Sequence, residues 1–316
     1  MRQTATLTRT TTLALLVFAG ACGPDSAPET APEAPGQDPQ AVSLFGEPLF
    51  EQVDTGGVIA AVDALLAEAP DDVERVIAAG RERRNFWQYR QAIELYTRAM
   101  QLAPGDWRPY RYRGHRYLSL REFDRGVTDL QAAKDRAPLN FDVSYHLGLA
   151  HFLSGHFSAA ADEYLRCLAL ADDPAAKAAA GEDFRSCSEN GDRPESMVAM
   201  TEWAVRALLR AGRTAEANEL LASVPLDLTM ETNIAYYHNL LFHKGLMSAA
   251  DLLEGGPDAP YRLETIGFGV ATGMLAAGDT AAARPVLEQL YADPWWPGFG
   301  RIAAEVELYR MGWRPR

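Results

Sequence analysis

The chain has 316 residues, of which 47% are hydrophobic and 23% charged, a composition typical of folded globular proteins that excludes disorder throughout. Its formal net charge is −13 and its pI about 5.0, which argues against a general nucleic-acid binder because phosphate recognition needs a basic surface. Six histidines and three cysteines leave little material for metal clusters.

Residues 1–21 are typical of a signal peptide. Arg2 and Arg9 form a basic start, and residues 13–21 form a nine-residue apolar run that is too short to span a bilayer. The small residues at 19–21 suit ordinary signal cleavage, and they also resemble the lipobox that precedes a lipid-modified cysteine. Both cleavages would occur before Cys22, so a soluble secreted protein is the alternative. The favoured prediction is lipidation of Cys22.

Residues 22–40 are predicted to be a disordered tether. The segment after Cys22 is rich in Pro, Ala and acidic residues and has no large apolar side chain, so it cannot bury enough surface to fold. Removal of Arg2 and Arg9 takes the net charge from −13 to −15, which an anionic bilayer would repel. We therefore expect a domain that hangs from a lipid anchor in a bacterial cell envelope, facing the periplasm or the exterior. The choice between inner and outer membrane stays open.

A step of 34 residues then organises the chain. Residues 41–72 are an N-terminal segment that includes the second helix of a half repeat, over 57–70, and residues 73–174 form three full units. The small residues allow close helix approach, and the prolines end the second helix of each unit. The columns in register are Pro70, Pro104 and Pro138; Gly80, Gly114 and Gly148; Tyr89, Phe123 and Phe157; Tyr96, Leu130 and Tyr164; and Ala99, Ala133 and Cys167.

At these columns the chain resembles the tetratricopeptide repeat (TPR) family. Arg83 and His151 replace a usual aromatic residue, and Asp172 stands where proline is expected, which weakens individual contacts only. The resemblance implies an all-α, right-handed helical solenoid in which the first helix of each unit lines a concave groove. Such folds commonly serve protein–protein interaction, so a binding scaffold is expected.

The second half of the chain is less regular. Residues 175–197 are predicted to be an irregular connection, because the stretch 182–195 is polar and contains Gly and Pro. Residues 198–316 are predicted to form degenerate helix pairs around Gly212, Gly245 and Gly278, and an amphipathic helix over 301–311 is the expected end cap. This half resembles uncharacterised bacterial TPR lipoproteins, a group without a known activity.

No catalytic or cofactor motif is recognised, so no enzyme activity, cofactor or metal is predicted. Gly267, Gly269 and Gly273 lie in a helical pattern and favour close helix packing over phosphate binding. Histidines five residues apart point to different faces of a helix and do not suggest a shared metal. These are His146, His151 and His156, and His238 and His243.

Two cysteines remain after Cys22. Cys167 occupies a column that needs a small residue, which is explained by helix packing alone, and Cys187 lies in the irregular connection. An oxidising compartment permits a bridge between them. The sequence leaves open whether they pair.

Residues 73–119 carry ten arginines against four acidic residues, a local +6 in an acidic chain. The ordinary explanation is a solvated helix face. The alternative is an arginine-lined groove for an extended acidic peptide or a chain-terminal carboxylate, because guanidinium groups bind carboxylates bidentately. By their phase in the repeat, the residues expected to face this groove are Arg81, Arg84, Asn85, Arg108, Arg111, His115, Tyr145 and Phe152.

The function predicted from the sequence is therefore a lipid-anchored scaffold that binds a protein or peptide, and an acidic one if the groove is used. Two alternatives stay open. One is a helical hydrolase or glycan-processing enzyme with its site around His238 and His243, and the other is a glycan- or small-molecule-binding lipoprotein that uses exposed Trp295 and Trp296. A deep polar pocket in the C-terminal half would favour the enzyme. The sequence does not indicate an oligomeric state.

Overall fold

The computed structural model describes residues 38–180, 185–191, 193–254 and 260–315, with the backbone alone for 260–263. These residues form one short hairpin, β1 (Ala41–Val42) and β2 (Pro48–Leu49), and sixteen helices. Cys22 and residues 1–37 lie outside the described residues. The helices are α1 (Val58–Glu68), α2 (Val73–Asn85), α3 (Tyr89–Leu102), α4 (Trp107–Ser119), α5 (Phe123–Arg136), α6 (Phe141–Leu153), α7 (Phe157–Ala171), α8 (Pro174–Ala180), α9 (Cys187–Gly191), α10 (Pro194–Arg210), α11 (Thr214–Ser223), α12 (Ile234–His243), α13 (Ala249–Leu253), α14 (Pro260–Ala276), α15 (Thr280–Tyr291) and α16 (Phe299–Arg310).

The first helix of each N-terminal unit begins at a repeated side-chain cap. Asp72, Asp106 and Asn140 lie 34 residues apart and accept backbone N–H bonds in the first turns of α2, α4 and α6. Each cap follows a proline by two residues, so the proline column ends one unit and the cap starts the next. The predicted all-α architecture of TPR-type helix pairs is confirmed.

The same helices end in a repeated left-handed turn. Trp87, Arg121 and Gly155 have φ values of 59°, 65° and 83°, and the next backbone N–H donates to a carbonyl five residues earlier. This is a Schellman-type ending, in which glycine is the usual residue. In the first two units a large side chain occupies the position in spite of the strain.

The glycine column allows the two helices of a unit to touch. A Cβ atom on Gly80 would lie 2.5 Å from Cε1 of Tyr96, and one on Gly114 would lie 2.8 Å from Cγ of Leu130. These large side chains therefore occupy the space that a side chain on the facing helix would need. The spacing predicted from the sequence follows from this contact.

The repeat resumes in the second half with more regularity than its sequence suggested. Gly212, Gly245, Gly278 and Gly312 have positive φ values and are spaced by 33, 33 and 34 residues. They follow α10, α12, α14 and α16, so these helices occupy the first-helix position of successive units. Gly155 and Gly212 are 57 residues apart, which is 23 more than one 34-residue step and measures the segment inserted between them.

The inserted segment is more ordered than the predicted irregular connection. It contains α8 and α9, and a disulfide joins Cys187 at the start of α9 to Cys167 of α7. Ser186 caps α9 by accepting the N–H of Glu189, and the N–H of Cys187 donates to the carbonyl of Leu139. The loop expected over 182–195 was therefore wrong at α9, because these local bonds stabilise a short helix there.

The expectation of an amphipathic end cap was wrong. Residues 300–308 of α16 are all buried, because the helix packs against α14 and α15 on one side and meets the turns of the first units on the other. Glu305 of α16 forms an ion pair of 2.6 Å with Arg121, and Arg310 donates to the carbonyl of Leu153. The last helix thus fills the concave side that an open solenoid would expose.

The N-terminal hairpin completes this closure, although a structure without strands was expected. The N–H of Leu44 donates to Glu305 over 2.6 Å, and Ser43 contacts the hydroxyl of Tyr291 at 3.1 Å. Gln40, which was assigned to the tether, is buried and hydrogen-bonded to Gln91. Two-residue strands carry too little sequence pattern to be recognised. Within the described residues, no helix has the length and apolarity needed to cross a membrane.

Candidate functional site

The structure sorts the ten arginines of residues 73–119 into paired and unpaired groups. Six of them form ion pairs with carboxylates, and Arg90 donates to the backbone carbonyl of Gln40. Among the described residues, no carboxylate lies within ion-pair distance of the other three, Arg81, Arg84 and Arg116. The pairs are Arg75–Glu68, Arg83–Asp63, Arg98–Asp71, Arg108–Glu74, Arg111–Asp142 and Arg113–Asp129.

Two of the predicted groove arginines are already engaged. Arg108 contacts Glu74 and Asp106, and Arg111 forms a two-point contact with Asp142 at 2.6 Å. Burial opposes ionisation of Asp142, but Arg111 and His146 outweigh it and hold the pKa of this carboxyl well below its usual range. Arg111 is buried, so it is a structural link between α4 and α6 and not a freely exposed groove charge.

His115 lies at the centre of the concave surface. Its ring stacks on Phe299 with centroids 4.8 Å apart and contacts His146 at 4.4 Å. Burial, followed by the charge of Arg116, lowers the pKa of His115 well below its usual value, so the ring is neutral at physiological pH. Its Nε2 atom is buried and has no hydrogen-bond partner among the described residues.

Arg116 was not among the predicted groove residues, although it is the most unusual charge of this surface. It is 5% exposed, and its guanidinium lies 4.6 Å from the ring centroid of Tyr89. Burial lowers the pKa of Arg116 to about 10, with smaller contributions from Arg84 and Arg111, so it stays charged at neutral pH. The sequence signal that could have found it is the local excess of arginine; the repeat phase alone pointed to its neighbour, His115.

We call Arg84, Arg111, His115 and Arg116 the arginine cluster. It brings three guanidinium groups from α2 and α4 together, with Asp142 as the one described carboxylate in ion-pair contact. Buried positive charge without matching negative charge is costly and needs an anion to offset it. The geometry can therefore accept a carboxylate or a similar anion.

The other predicted groove residues are spread over different environments. Arg81 and Asn85 are exposed on α2, near the rim of the arginine cluster. Tyr145 is half-buried and its hydroxyl lies 3.3 Å from that of Tyr236. Phe152 does not line a groove, because it is 1% exposed and packs edge-on against Trp203 and Phe268 in the core.

The residues of the two alternative functions are also placed by the fold. The side chain of His243 is buried with Nε2 3.9 Å from Oε1 of Glu202, which also bonds Arg206. Burial raises the pKa of Glu202 to about 7 and lowers that of His243 to about 3. These side chains are polar and convergent, but they are 0–3% exposed, so no opening leads a substrate to them.

The second alternative loses one of its aromatic contacts. Trp296 is 4% exposed and packs against Tyr89 and Trp87 at 5.4 and 5.7 Å, so it cannot present a ring to a glycan. His238 and Trp295 are half-buried. In the described part of the chain, no group of three or more His, Cys, Asp or Glu side chains is arranged to hold a metal ion.

No protein-family model matches the chain. One similar solved structure is described as the crystal structure of MamA protein, with a TM-score of 0.41 and 18% identity, covering 55% of this chain and 88% of that chain. Another is described as the crystal structure of YrrB, a TPR protein with an unusual peptide-binding site, with a TM-score of 0.43 and 11% identity, covering 80% of this chain and 96% of that chain. Both likenesses are distant.

Proposed function

We propose that this chain is a lipid-anchored scaffold of a bacterial cell envelope that binds an acidic segment of a protein partner at the arginine cluster. The observation that carries the proposal is Arg116, which is buried and charged and has no carboxylate in reach among the described residues. The function is binding and not catalysis, because the polar groups that could react are closed off in the core.

The cluster suits a carboxylate better than other small ligands. Arg84 is half-exposed and donates only to the neighbouring Asn85, so its guanidinium can turn towards an incoming anion. Arg116 lies behind it and supplies a charge whose interaction is weakly screened. Because the whole chain carries a net charge of −13, an acidic partner must be attracted by this local field.

The anchor rests on the N-terminal sequence. The small residues before Cys22 and the Pro-rich acidic stretch after it support a lipidated cysteine on a tether. The first described residues lead into the hairpin that binds α16, so the tether would connect to the closed side of the domain.

Partner binding can be tested with a fluorescent peptide of alternating Glu and Leu that ends in a free carboxylate. Arg84→Glu should weaken binding at least about tenfold, and raised salt should weaken binding to the parent protein. The matched control is Arg98→Glu, which makes the same change of charge on α3 at an arginine paired with Asp71. Equal losses in both variants would show that only net charge matters.

Arg116→Gln separates binding from stability. If Arg116 is kept for an anion, its removal should abolish peptide binding while the free energy of unfolding falls by no more than about 1–2 kcal/mol, the contribution of its contact with Tyr89. If Arg116 is structural, stability should fall and peptide binding should persist. That second result would sink the proposal.

The anchor has its own test. Cys22→Ser should move the protein from the membrane fraction to the soluble fraction, and mass analysis of the parent should show an acylated Cys22. A variant that stays in the membrane fraction would remove the lipid anchor from the proposal and leave the binding site unaffected.

A further inference from the structure

The turn of residues 296–300 lies directly over the arginine cluster. Trp296 packs on Tyr89, the same ring that Arg116 contacts, and Phe299 stacks on His115. The indole N–H of Trp296 donates to the carbonyl of Phe50 over 2.8 Å. An anion that reaches His115 or Arg116 must pass this turn, so its position controls access to the cluster.

A single carboxyl group supports the turn from below. Glu264 of α14 lies against the backbone of Gly298 and Gly300, where a Cβ atom on Gly300 would be 2.5 Å from the carbonyl oxygen of Glu264. Its Oε1 atom is 3.4 Å from the N–H of Arg301, in the first turn of α16, and Gly298 provides no side-chain cap there. Glu264 is 5% exposed and makes no other hydrogen bond among the described residues.

The charges around Glu264 oppose its ionisation. Burial and then Asp293 raise the pKa of Glu264 to about 8, whereas Arg301 and the N-terminus of α16 favour the anion and are outweighed. The described part of α14 carries no other charged side chain. The charged groups on the elements packed against α14 are engaged elsewhere, namely Glu202 with Arg206 and His243, Asp251 with Ser248, Arg284 with Glu288, and Arg301 with Tyr291 and Glu47.

We propose that residues 296–300 form a proton-dependent cover over the arginine cluster, which stays closed while Glu264 is protonated and loosens when Glu264 ionises. In the open form Glu264 meets water and returns towards its ordinary pKa of about 4.5. Closure is therefore most stable below that value and weakens as the pH rises to about 8. This inference rests on the proposed function for its meaning, but its test does not involve a partner.

The test is hydrogen exchange of the amides in residues 296–302, corrected for intrinsic rates, from about pH 6 to about pH 8. The opening constant should rise by up to about tenfold per pH unit in the parent, because one proton is released on opening. Glu264→Gln should remove this dependence, since the amide cannot ionise. Glu219→Gln, at an exposed position of α11, is the matched control and should keep it.

Asp293→Asn keeps the proposal testable if Glu264→Gln fails to fold. Removal of the repelling carboxylate should move the onset of opening to lower pH. A parent protein with pH-independent exchange, or a Glu264→Gln variant with the parent's slope, would overturn the cover. If acidic peptide still binds in an Arg84-dependent manner, the proposed function survives that loss; if peptide binding fails while exchange follows pH, only the proposed function falls.

Discussion

Replacement of Arg121 by glycine sets two opposing effects against each other at one position. Arg121 has a φ of 65°, a conformation that costs an ordinary residue about 1–2 kcal/mol and costs glycine almost nothing. Its guanidinium also forms an ion pair with Glu305, with side-chain exposures of 3% and 0%. Loss of one partner of a buried pair costs about 3–5 kcal/mol, so Arg121→Gly should destabilise the protein by about 2–3 kcal/mol in spite of the relieved strain.

Urea unfolding followed by far-ultraviolet circular dichroism measures this difference. The next unit has Gly155 at the equivalent position, which shows that the turn itself accepts glycine. Arg125→Ala is the control, because its pair with Glu122 is exposed and should contribute less than about 1 kcal/mol. Addition of Glu305→Gln to Arg121→Gly should recover part of the loss by removing the orphaned charge. A glycine variant as stable as the parent would refute the role assigned to the pair in closing the fold.

Two further predictions concern the repeat and the disulfide. Gly114→Leu should destabilise by several kcal/mol, because a Cβ atom there already lies 2.8 Å from Leu130; a near-parental urea midpoint would contradict the helix contact. Cys187→Ser should cost about 3 kcal/mol by the loop-closure estimate for a separation of 20 residues, and reduction of the parent should reproduce it; equal stability of oxidised and reduced protein would argue against the bridge.

The helix pairs could be predicted from the sequence because their determinants are local. A small residue and the large residue it faces, such as Gly114 and Leu130, are 16 positions apart and recur at a fixed step. The caps of α2, α4 and α6 follow the same step. The regular spacing of Gly212, Gly245 and Gly278 was also present in the sequence, but the inserted segment separated it from the first three units and hid the common register.

The closure and the candidate site could not be predicted in the same way. Arg121 and Glu305 are 184 residues apart, and nothing in the neighbourhood of either residue indicates the other. The repeat phase correctly brought His115 to the concave side, but it could not show that Phe299 would stack on it. It also placed Phe152 in the groove, where the later helices α10 and α14 bury it. Burial of a concave surface depends on the path of the whole chain.

The closure also changes how the molecule should unfold. In an open solenoid each repeat contacts only its neighbours, so end repeats fray and stability adds up along one dimension. Here α16 and the hairpin connect the last units to the first, and Leu44 and Glu305 join segments 261 residues apart. Fraying at either end would break contacts at the other, so the ends are coupled to the middle. The chain should behave as one cooperative unit, and its contact order is raised towards that of a globular domain, which slows folding relative to an open array of the same helices.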